Sequence, residues 1–147
     1  MDDIKPGIME VLEKSFLMSL GVQDEGGVWV SDVLCLNDDA MNVYWLSDPD
    51  TRHSKAIATN PRVAGTITVS GMNRGENSLG IQFEGTAEKI DGPRYDLAQK
   101  FMAKLGAPAP KETDDVTKGD SWYMLTPSRI DYINRDKFGF EKKTIQL

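Results

Sequence analysis

The feature that most constrains the fold is a series of short apolar segments separated by turn-forming residues. The segments are rich in β-branched and aromatic residues, and several of them alternate apolar with polar side chains. They occupy residues 28–36, 43–46, 62–70, 81–88, 122–125, 129–133 and 138–145. Such segments, bounded by Gly, Pro, Asn and Asp, are typical of β-strands joined by hairpins. Hairpin signals lie at residues 24–27 and 37–39, and residues 71–75 are predicted to form a further hairpin loop. The sequence therefore predicts six or seven strands that mostly pair as antiparallel neighbours.

Helical periodicity is confined to three stretches of the chain. These are residues 4–18, 51–59 and 93–105. The second ends at Asn60, because the residue before a proline, here Pro61, disfavours the helical conformation. Many hairpin-linked strands with few helices favour a small antiparallel barrel over a βαβ fold. Since 147 residues make one domain of ordinary size, we predict a single mainly β domain over residues 1–147 with peripheral helices.

The strand predicted at residues 28–36 is apolar on both of its faces. Val30 and Leu34 alternate with Trp29, Val33 and Cys35 along it. A barrel fills its interior from one face of each strand, so the other face of this strand needs a cover. A helix or a second copy of the chain could supply it, and we predict a homodimer.

Charge and cysteine content exclude several classes of protein. The chain has 17 Lys and Arg against 23 Asp and Glu, a net charge of −6. That balance argues against non-specific binding to nucleic acid or to anionic membranes, which needs a positive surface field. No segment approaches the ~20 apolar residues of a membrane helix, and residues 1–3 lack a basic leader. One cysteine, Cys35, forbids an intrachain disulfide and suits the reducing cytoplasm, where we expect the protein.

Residues 47–55 (SDPDTRHSK) are the best candidate for a binding site. They leave a strand and enter a helix, so several backbone amides lack intrahelical partners and the local dipole attracts anions. Thr51 adds a hydroxyl, Arg52 a planar guanidinium suited to phosphate oxygens, and His53 and Lys55 further positive charge, the histidine only when protonated. The pattern is compatible with a phosphate-binding turn.

A purely structural explanation of the same residues stays open. Asp48 or Asp50 could cap the helix with its own carboxylate, and the cations could merely solvate the helix surface. His53, the only histidine, stands among polar residues and is expected at the surface. We nominate no catalytic residue, because no Ser-His or Cys-His arrangement and no metal-ligand spacing is present. Cys35 is expected to be a small buried apolar residue.

Aromatic residues are numerous, and most should lie in the core, although one or two could flank a planar ligand. They include Trp29, Tyr44, Trp45, Trp122 and Tyr123.

Residues 43–67 (VYWLSDPDTRHSKAIATNPRVAGTI) resemble the FMN-binding split barrels of the pyridoxamine 5′-phosphate oxidase-like family. The resemblance rests on an aromatic strand, a Thr51-Arg52-His53 turn, a short helix, and an Asn-Pro-Arg-Val sequence that opens the next strand. GVWVSDVL before this stretch and QFEGTAE after it also resemble the family's flanking strands, so the likeness spans residues 20–91. It implies a six- to seven-stranded antiparallel split β-barrel.

In that family the turn holds the FMN phosphate, so the resemblance assigns this role to Thr51, Arg52 and His53. The edge of the isoalloxazine ring would be lined, mainly through backbone groups, by Ser31, Asp32, Val33 and Leu34. The flavin lies at the subunit interface of such dimers, which makes Gln82 and Trp122 further candidates, contributed by the partner chain.

The resemblance implies an FMN-dependent oxidoreductase that acts on a small-molecule redox substrate. Ser31 and Leu36 replace basic residues that the true oxidases carry on this strand, so flavin binding is expected more than oxidation of the phosphorylated vitamin. The alternatives are a non-catalytic binder of flavin, haem or another planar cofactor, and a deazaflavin-dependent reductase.

Overall fold

The strand pattern of the sequence is realised as one curved sheet. A computed structural model describes residues 3–69, 73–76 and 78–147. Its strands are β1 (Leu17–Asp24), β2 (Gly27–Asn37), β3 (Val43–Ser47), β4 (Arg62–Thr68), β5 (Leu79–Ile90), β6 (Ser121–Asn134) and β7 (Lys143–Gln146). Its helices are α1 (Lys5–Lys14), α2 (Arg52–Thr59), α3 (Tyr95–Lys104) and the single turn α4 (Arg135–Phe138).

Pairing between β3 and β6 closes the sheet into a barrel. The strand order is β3-β2-β1-β4-β5-β6-β7, and the additional β3–β6 ladder joins the first six strands in a ring, with β7 outside on β6. All the pairs are antiparallel. The predicted six- to seven-stranded antiparallel split barrel with peripheral helices is therefore confirmed.

The barrel interior is filled by alternate residues of its strands. Met18, Leu20 and Val22 of β1 are buried beside inward residues of the other strands, and α1 adds Ile8 and Val11. Because successive side chains of a strand point to opposite faces, the other residues of β1 point outward. The core thus fixes which side chains can meet a ligand or partner.

The structure differs from the sequence prediction in several places, and strand β1 (Leu17–Asp24) was not among the predicted segments. The first helix ends at Lys14 instead of residue 18, since Ser15 is already extended and the alternation of β1 begins at Leu17. Residues 122–125 and 129–133 belong to one strand, because β5 pairs with β6 from residue 122 to residue 134 and a register shift between Glu84 and Gly85 accommodates the extra residue Ser128. The last predicted strand is confined to Lys143–Gln146 and follows α4.

The turn predictions are confirmed between β1 and β2. Asp24 and Gly27 are paired at the end of that ladder, as the hairpin signal predicted. The segment predicted at residues 62–70 forms a strand that ends at Thr68, and its last residue, Ser70, lies outside the described residues. The predicted loop at residues 71–75 also lies partly outside them.

Gly85 is required where β5 crosses the bulge of β6. A Cβ atom there would lie against the carbonyl oxygen of Thr126 and 2.8 Å from the Cα atom of Pro127. We expect Gly85→Ala to lower the free energy of unfolding by about 1–3 kcal/mol, because backbone atoms must move to admit the methyl group. Urea unfolding measures the change. Thr86→Ala, at the exposed neighbouring position, is the control and should cost clearly less.

Helix α3 covers only part of the barrel's outer surface. Leu97 and Ala98 of α3 pack on Leu36, Tyr44 and Trp122, at the side formed by β2, β3 and β6. The outward residues of β1, β4 and the first half of β2 remain exposed or half-buried. This uncovered face consists of Val28, Val30, Gly21, Ala64, Thr66 and the adjoining Gln82 and Glu84 of β5. Within the described residues, none of the helices has the length and apolar character needed to cross a bilayer.

Candidate functional site

The turn between β3 and α2 is closed by hydroxyl and backbone groups. Thr51 is the N-cap of α2, and its Oγ1 accepts a hydrogen bond from the amide of Ser54 at 3.3 Å. The Asp48 side chain accepts from the amide of Asp50 at 2.8 Å and so shapes the preceding turn. The structural explanation in which Asp48 or Asp50 caps the helix is therefore wrong. A neutral cap leaves the positive end of the helix dipole uncompensated, because no acidic residue lies in the first turn.

Arg52 forms a two-pronged ion pair with the β1–β2 hairpin. Its Nε lies 2.9 Å from Oδ2 of Asp24, and its Nη2 lies 3.1 Å from Oδ1. The guanidinium also stacks over Trp29, 4.6 Å from the ring centroid. The hydrogen bond from Arg52 lowers the pKa of the Asp24 carboxyl group below its usual value. In this conformation the guanidinium is therefore engaged by a carboxylate of its own chain.

His53 is buried, contrary to the prediction that it lies at the surface. Its Nε2 lies 3.0 Å from Oγ of Ser47 and 3.3 Å from Oγ1 of Thr51, so the ring links the end of β3 to the helix cap. Burial lowers the pKa of the imidazole below 6.5. At neutral pH His53 is uncharged, and it stabilises the turn instead of adding positive charge to it.

The burial of His53 predicts a pH dependence of stability. The unfolded chain, whose histidine has an ordinary pKa, takes up a proton at higher pH than the folded protein does. The contribution of this residue is thus fully present above about pH 7 and is lost as the pH falls through 6.5. Urea unfolding between pH 5 and 8 should show a steeper loss of stability on acidification for the wild type than for His53→Gln. Parallel curves for the two proteins would contradict this assignment.

The predicted ring-binding residues of β2 lie along an open strand edge. Over residues 27–34 β2 pairs with β1, whereas β3 pairs only with residues 35–37. No described strand therefore pairs with the other edge over residues 27–34. Asp32 and Leu34 point outward, and Asp32 accepts from the hydroxyl of Ser19 at 2.6 Å. Val33 is buried, so it can offer a ligand only backbone groups, as the resemblance implied.

The two residues expected from a partner chain lie in different environments. Trp122 is in the core under α3, where its Nε1 donates to the carbonyl of Pro93 at 2.9 Å and its ring meets the edge of Phe101. In the single chain the Trp122 side chain is therefore not accessible to a ligand. Gln82 is half-buried on the uncovered face, and its Oε1 accepts from Nζ of Lys142 at 2.8 Å. It remains available to a second copy of the chain.

A groove of about 830 Å³ crosses the uncovered face. Its floor includes Gly21 and Ala64, which face each other across β1 and β4. A Cβ atom at Gly21 would lie 3.3 Å from the carbonyl oxygen of Ala64. The absence of a side chain at this glycine therefore keeps the groove open. The groove could not be predicted from the sequence, because its walls come from strands far apart in the chain.

The remaining reactive residues do not form a second site within the described part of the chain. Cys35 is buried as predicted, and burial raises the pKa of its thiol to about 11. No group of three or more His, Cys, Asp or Glu residues there could hold a metal ion. Most of the predicted core aromatics are buried, whereas Trp29 is 43% exposed. Trp29 is thus the member of that set placed to flank a planar ligand.

The chain is similar to proteins of known sequence and structure over most of its length. A family model described as pyridoxamine 5′-phosphate oxidase matches residues 4–134. The UPF0306 protein YhbP of Escherichia coli O157:H7 is 32% identical over 138 residues, which are 92% of this chain and 88% of that protein. General Stress Protein 26 of Bacillus anthracis str. Sterne matches with a TM-score of 0.72 at 16% identity, over 98% of each chain. HutZ, the haem storage protein of Vibrio cholerae, matches with a TM-score of 0.67 at 14% identity, over 99% of this chain and 95% of that one.

Proposed function

Because the chain belongs to the pyridoxamine 5′-phosphate oxidase-like family, we propose that it binds FMN and acts as a flavin-dependent oxidoreductase. The observation that carries the proposal is the position of Arg52 at the neutral-capped start of α2, stacked on Trp29 of the open-edged strand β2. A cation for a phosphate and an unpaired strand edge for a planar ring thus lie next to each other. The cofactor would supply the electron transfer when bound.

The residues present fit the phosphate end of this cofactor. Arg52 offers a planar guanidinium, and the first turn of α2 offers those backbone amides that the Thr51 cap does not engage, groups that bind phosphate oxygens favourably. Thr51 would add its hydroxyl on giving up its bond to the carbonyl oxygen of Asp48. Neutral His53 would support the turn through Ser47 without touching the ligand. In this proposal Arg52 provides the main charge, because the buried histidine provides none.

The open edge of β2 fits the ring end. Backbone N–H and C=O groups of residues 31–34 on the side away from β1 would meet the polar edge of the isoalloxazine ring, while Trp29 limits access of water. A ring that carries alternating donors and acceptors is well matched by an extended strand edge. The role of the chain is to bind and orient the ring, and no side-chain acid or base is assigned.

We propose further that two copies of the chain associate through the uncovered face. Val30, Gly21 and Ala64 lie side by side on three neighbouring strands of this face. They form a flat apolar surface. Val28 and Val30 are 74% and 59% exposed in the single chain, and an exposed pair of large apolar residues is typical of an interaction surface. A partner seated there would bring its own Gln82 towards the ligand.

Haem or deazaflavin binding are the alternatives. HutZ is described as a haem storage protein and has the same fold. His53, the only histidine, would have to give up its contact with Ser47 to ligate a haem iron. That requirement favours a flavin. A cytoplasmic location is proposed from the cysteine content alone.

An absorbance spectrum of the purified protein tests the cofactor. We expect flavin bands, either as isolated or after addition of FMN and removal of the excess, and bleaching of those bands by NADH or NADPH under anaerobic conditions. A Soret band after addition of haem, with no retained flavin, would support the haem alternative instead. Retained FMN that no nicotinamide nucleotide reduces would indicate a carrier.

A further inference from the structure

The guanidinium of Arg52 is already occupied by a ligand from its own chain. Asp24 meets it with both carboxylate oxygens, at 2.9 and 3.1 Å. Carboxylate and phosphate present oxygen pairs of similar spacing to an arginine, so either can fill the same two-pronged site. Asp24 therefore takes the place on Arg52 that two phosphate oxygens would take.

The β1–β2 turn is fitted closely to the guanidinium. The amide of Gly26 donates to Oδ1 of Asp24 at 2.8 Å, which fixes the carboxylate at the tip of the hairpin. A Cβ atom at Gly26 would lie 3.1 Å from Nη2 of Arg52, so a larger residue would crowd the pair. Trp29, also on this hairpin, contacts the other side of the guanidinium. The hairpin thus holds Arg52 on two sides.

We propose that Asp24 is an internal competitor for Arg52 that lowers the affinity of the site for ligands ending in a phosphate monoester. This inference rests on the proposed function. A phosphate monoester carries a charge of about −1.5 to −2 at neutral pH and can displace a single carboxylate from the guanidinium. A ligand with the same ring but no phosphate leaves the Asp24–Arg52 pair in place and gains no contact with the arginine.

The test compares FMN with riboflavin, which has the same ring and no phosphate. Asp24→Asn keeps the side-chain oxygen that accepts from Gly26 but removes the charge that competes for Arg52. We expect this variant to bind FMN roughly 1.5- to fivefold more tightly than the wild type, the range for a partly exposed ion pair. Its affinity for riboflavin should not change. Flavin fluorescence titration measures both dissociation constants.

Two further variants make the result specific. Asp96→Asn removes the same charge from the similar two-pronged pair between Arg94 and Asp96, and it should leave FMN affinity unchanged. In the Arg52→Ala background, Asp24→Asn should no longer improve FMN binding, because the competition acts through the arginine.

The outcomes separate this inference from the proposed function. If Asp24→Asn binds FMN no better or more weakly than the wild type while Arg52→Ala impairs binding, Asp24 positions the arginine and does not compete for it, and only the competitor role is overturned. Equal gains for FMN and riboflavin would likewise overturn it. If neither the wild type nor Asp24→Asn binds FMN, the proposed function fails together with the inference.

Discussion

Replacing Arg52 by alanine is expected to weaken FMN binding by roughly 10- to 150-fold, which corresponds to about 1.5–3 kcal/mol. The substitution removes the one charged group that we assign to the phosphate, and charge-assisted hydrogen bonds to phosphate are stronger than neutral ones. It also leaves the Asp24 carboxylate without its partner, close to where the phosphate would lie. Both effects act in the same direction. Equilibrium dialysis or fluorescence titration with FMN measures the loss.

Arg94→Ala is the matched control for this experiment. Arg94 also holds an aspartate with two bonds, at 3.0 and 2.9 Å, but it lies at the start of α3. The control removes the same net charge and a similar ion pair, so it should leave the FMN dissociation constant within about twofold. The dissociation constants of Arg52→Ala and Arg94→Ala should differ much less for riboflavin than for FMN. An equal effect of the two substitutions would show that general electrostatics, and not a local phosphate contact, governs binding.

Ala64→Arg is expected to convert the proposed dimer into monomers. Ala64 lies on the floor of the groove in the uncovered face, between Gly21 on β1 and Glu84 on β5. An arginine there would place a long charged side chain in the middle of a closely packed, desolvated contact, which costs several kcal/mol. Because Ala64 is exposed in the single chain, the free energy of unfolding of the monomer should change little. Sedimentation velocity at micromolar concentration measures the association state.

Ala103→Arg provides the same substitution at an exposed position of α3 and should remain dimeric. If the flavin lies between the two chains, Ala64→Arg should also lose FMN in parallel with dimerisation, whereas Ala103→Arg should retain it. A wild-type protein that sediments as a monomer, or an Ala64→Arg variant that stays dimeric, would exclude this face as the interface.

The strand content could be predicted because it depends on local patterns. The alternation of β5 and the turn residues at Asp24 and Gly27 specify strands and a hairpin without reference to distant parts of the chain. The end of α1 was misplaced because Phe16 continues the helical spacing while Leu17 already begins the alternation of β1. Two periodicities overlap there, and tertiary packing decides between them. In the sequence, Pro127 divides β6 into two apparent segments. Their continuity could not be predicted, because a bulge is recognised only once the partner strand is known.

The site could be predicted only in part. Arg52 and Thr51 could be singled out as candidates because a strand followed by a short helix has a recognisable sequence at its junction. The burial of His53 was missed because its sequence neighbours are polar, whereas its environment is set by Ser47 and the barrel. Asp24 was identified only as a turn residue, since its ion pair connects positions 28 residues apart. Contacts of that range depend on the closure of the barrel and leave no local signature.

The unpaired edge of β2 over residues 27–34 has a consequence that does not depend on catalysis. A strand edge with unpaired backbone groups is a template on which strands of other molecules can add, and proteins normally blunt such edges. Over residues 27–34 this edge is flanked by the exposed side chains of Val28 and Val30, which would favour such misassembly. A ligand or second chain bound along this edge would therefore also protect against aggregation, so we expect the tendency to aggregate to fall as the site becomes occupied.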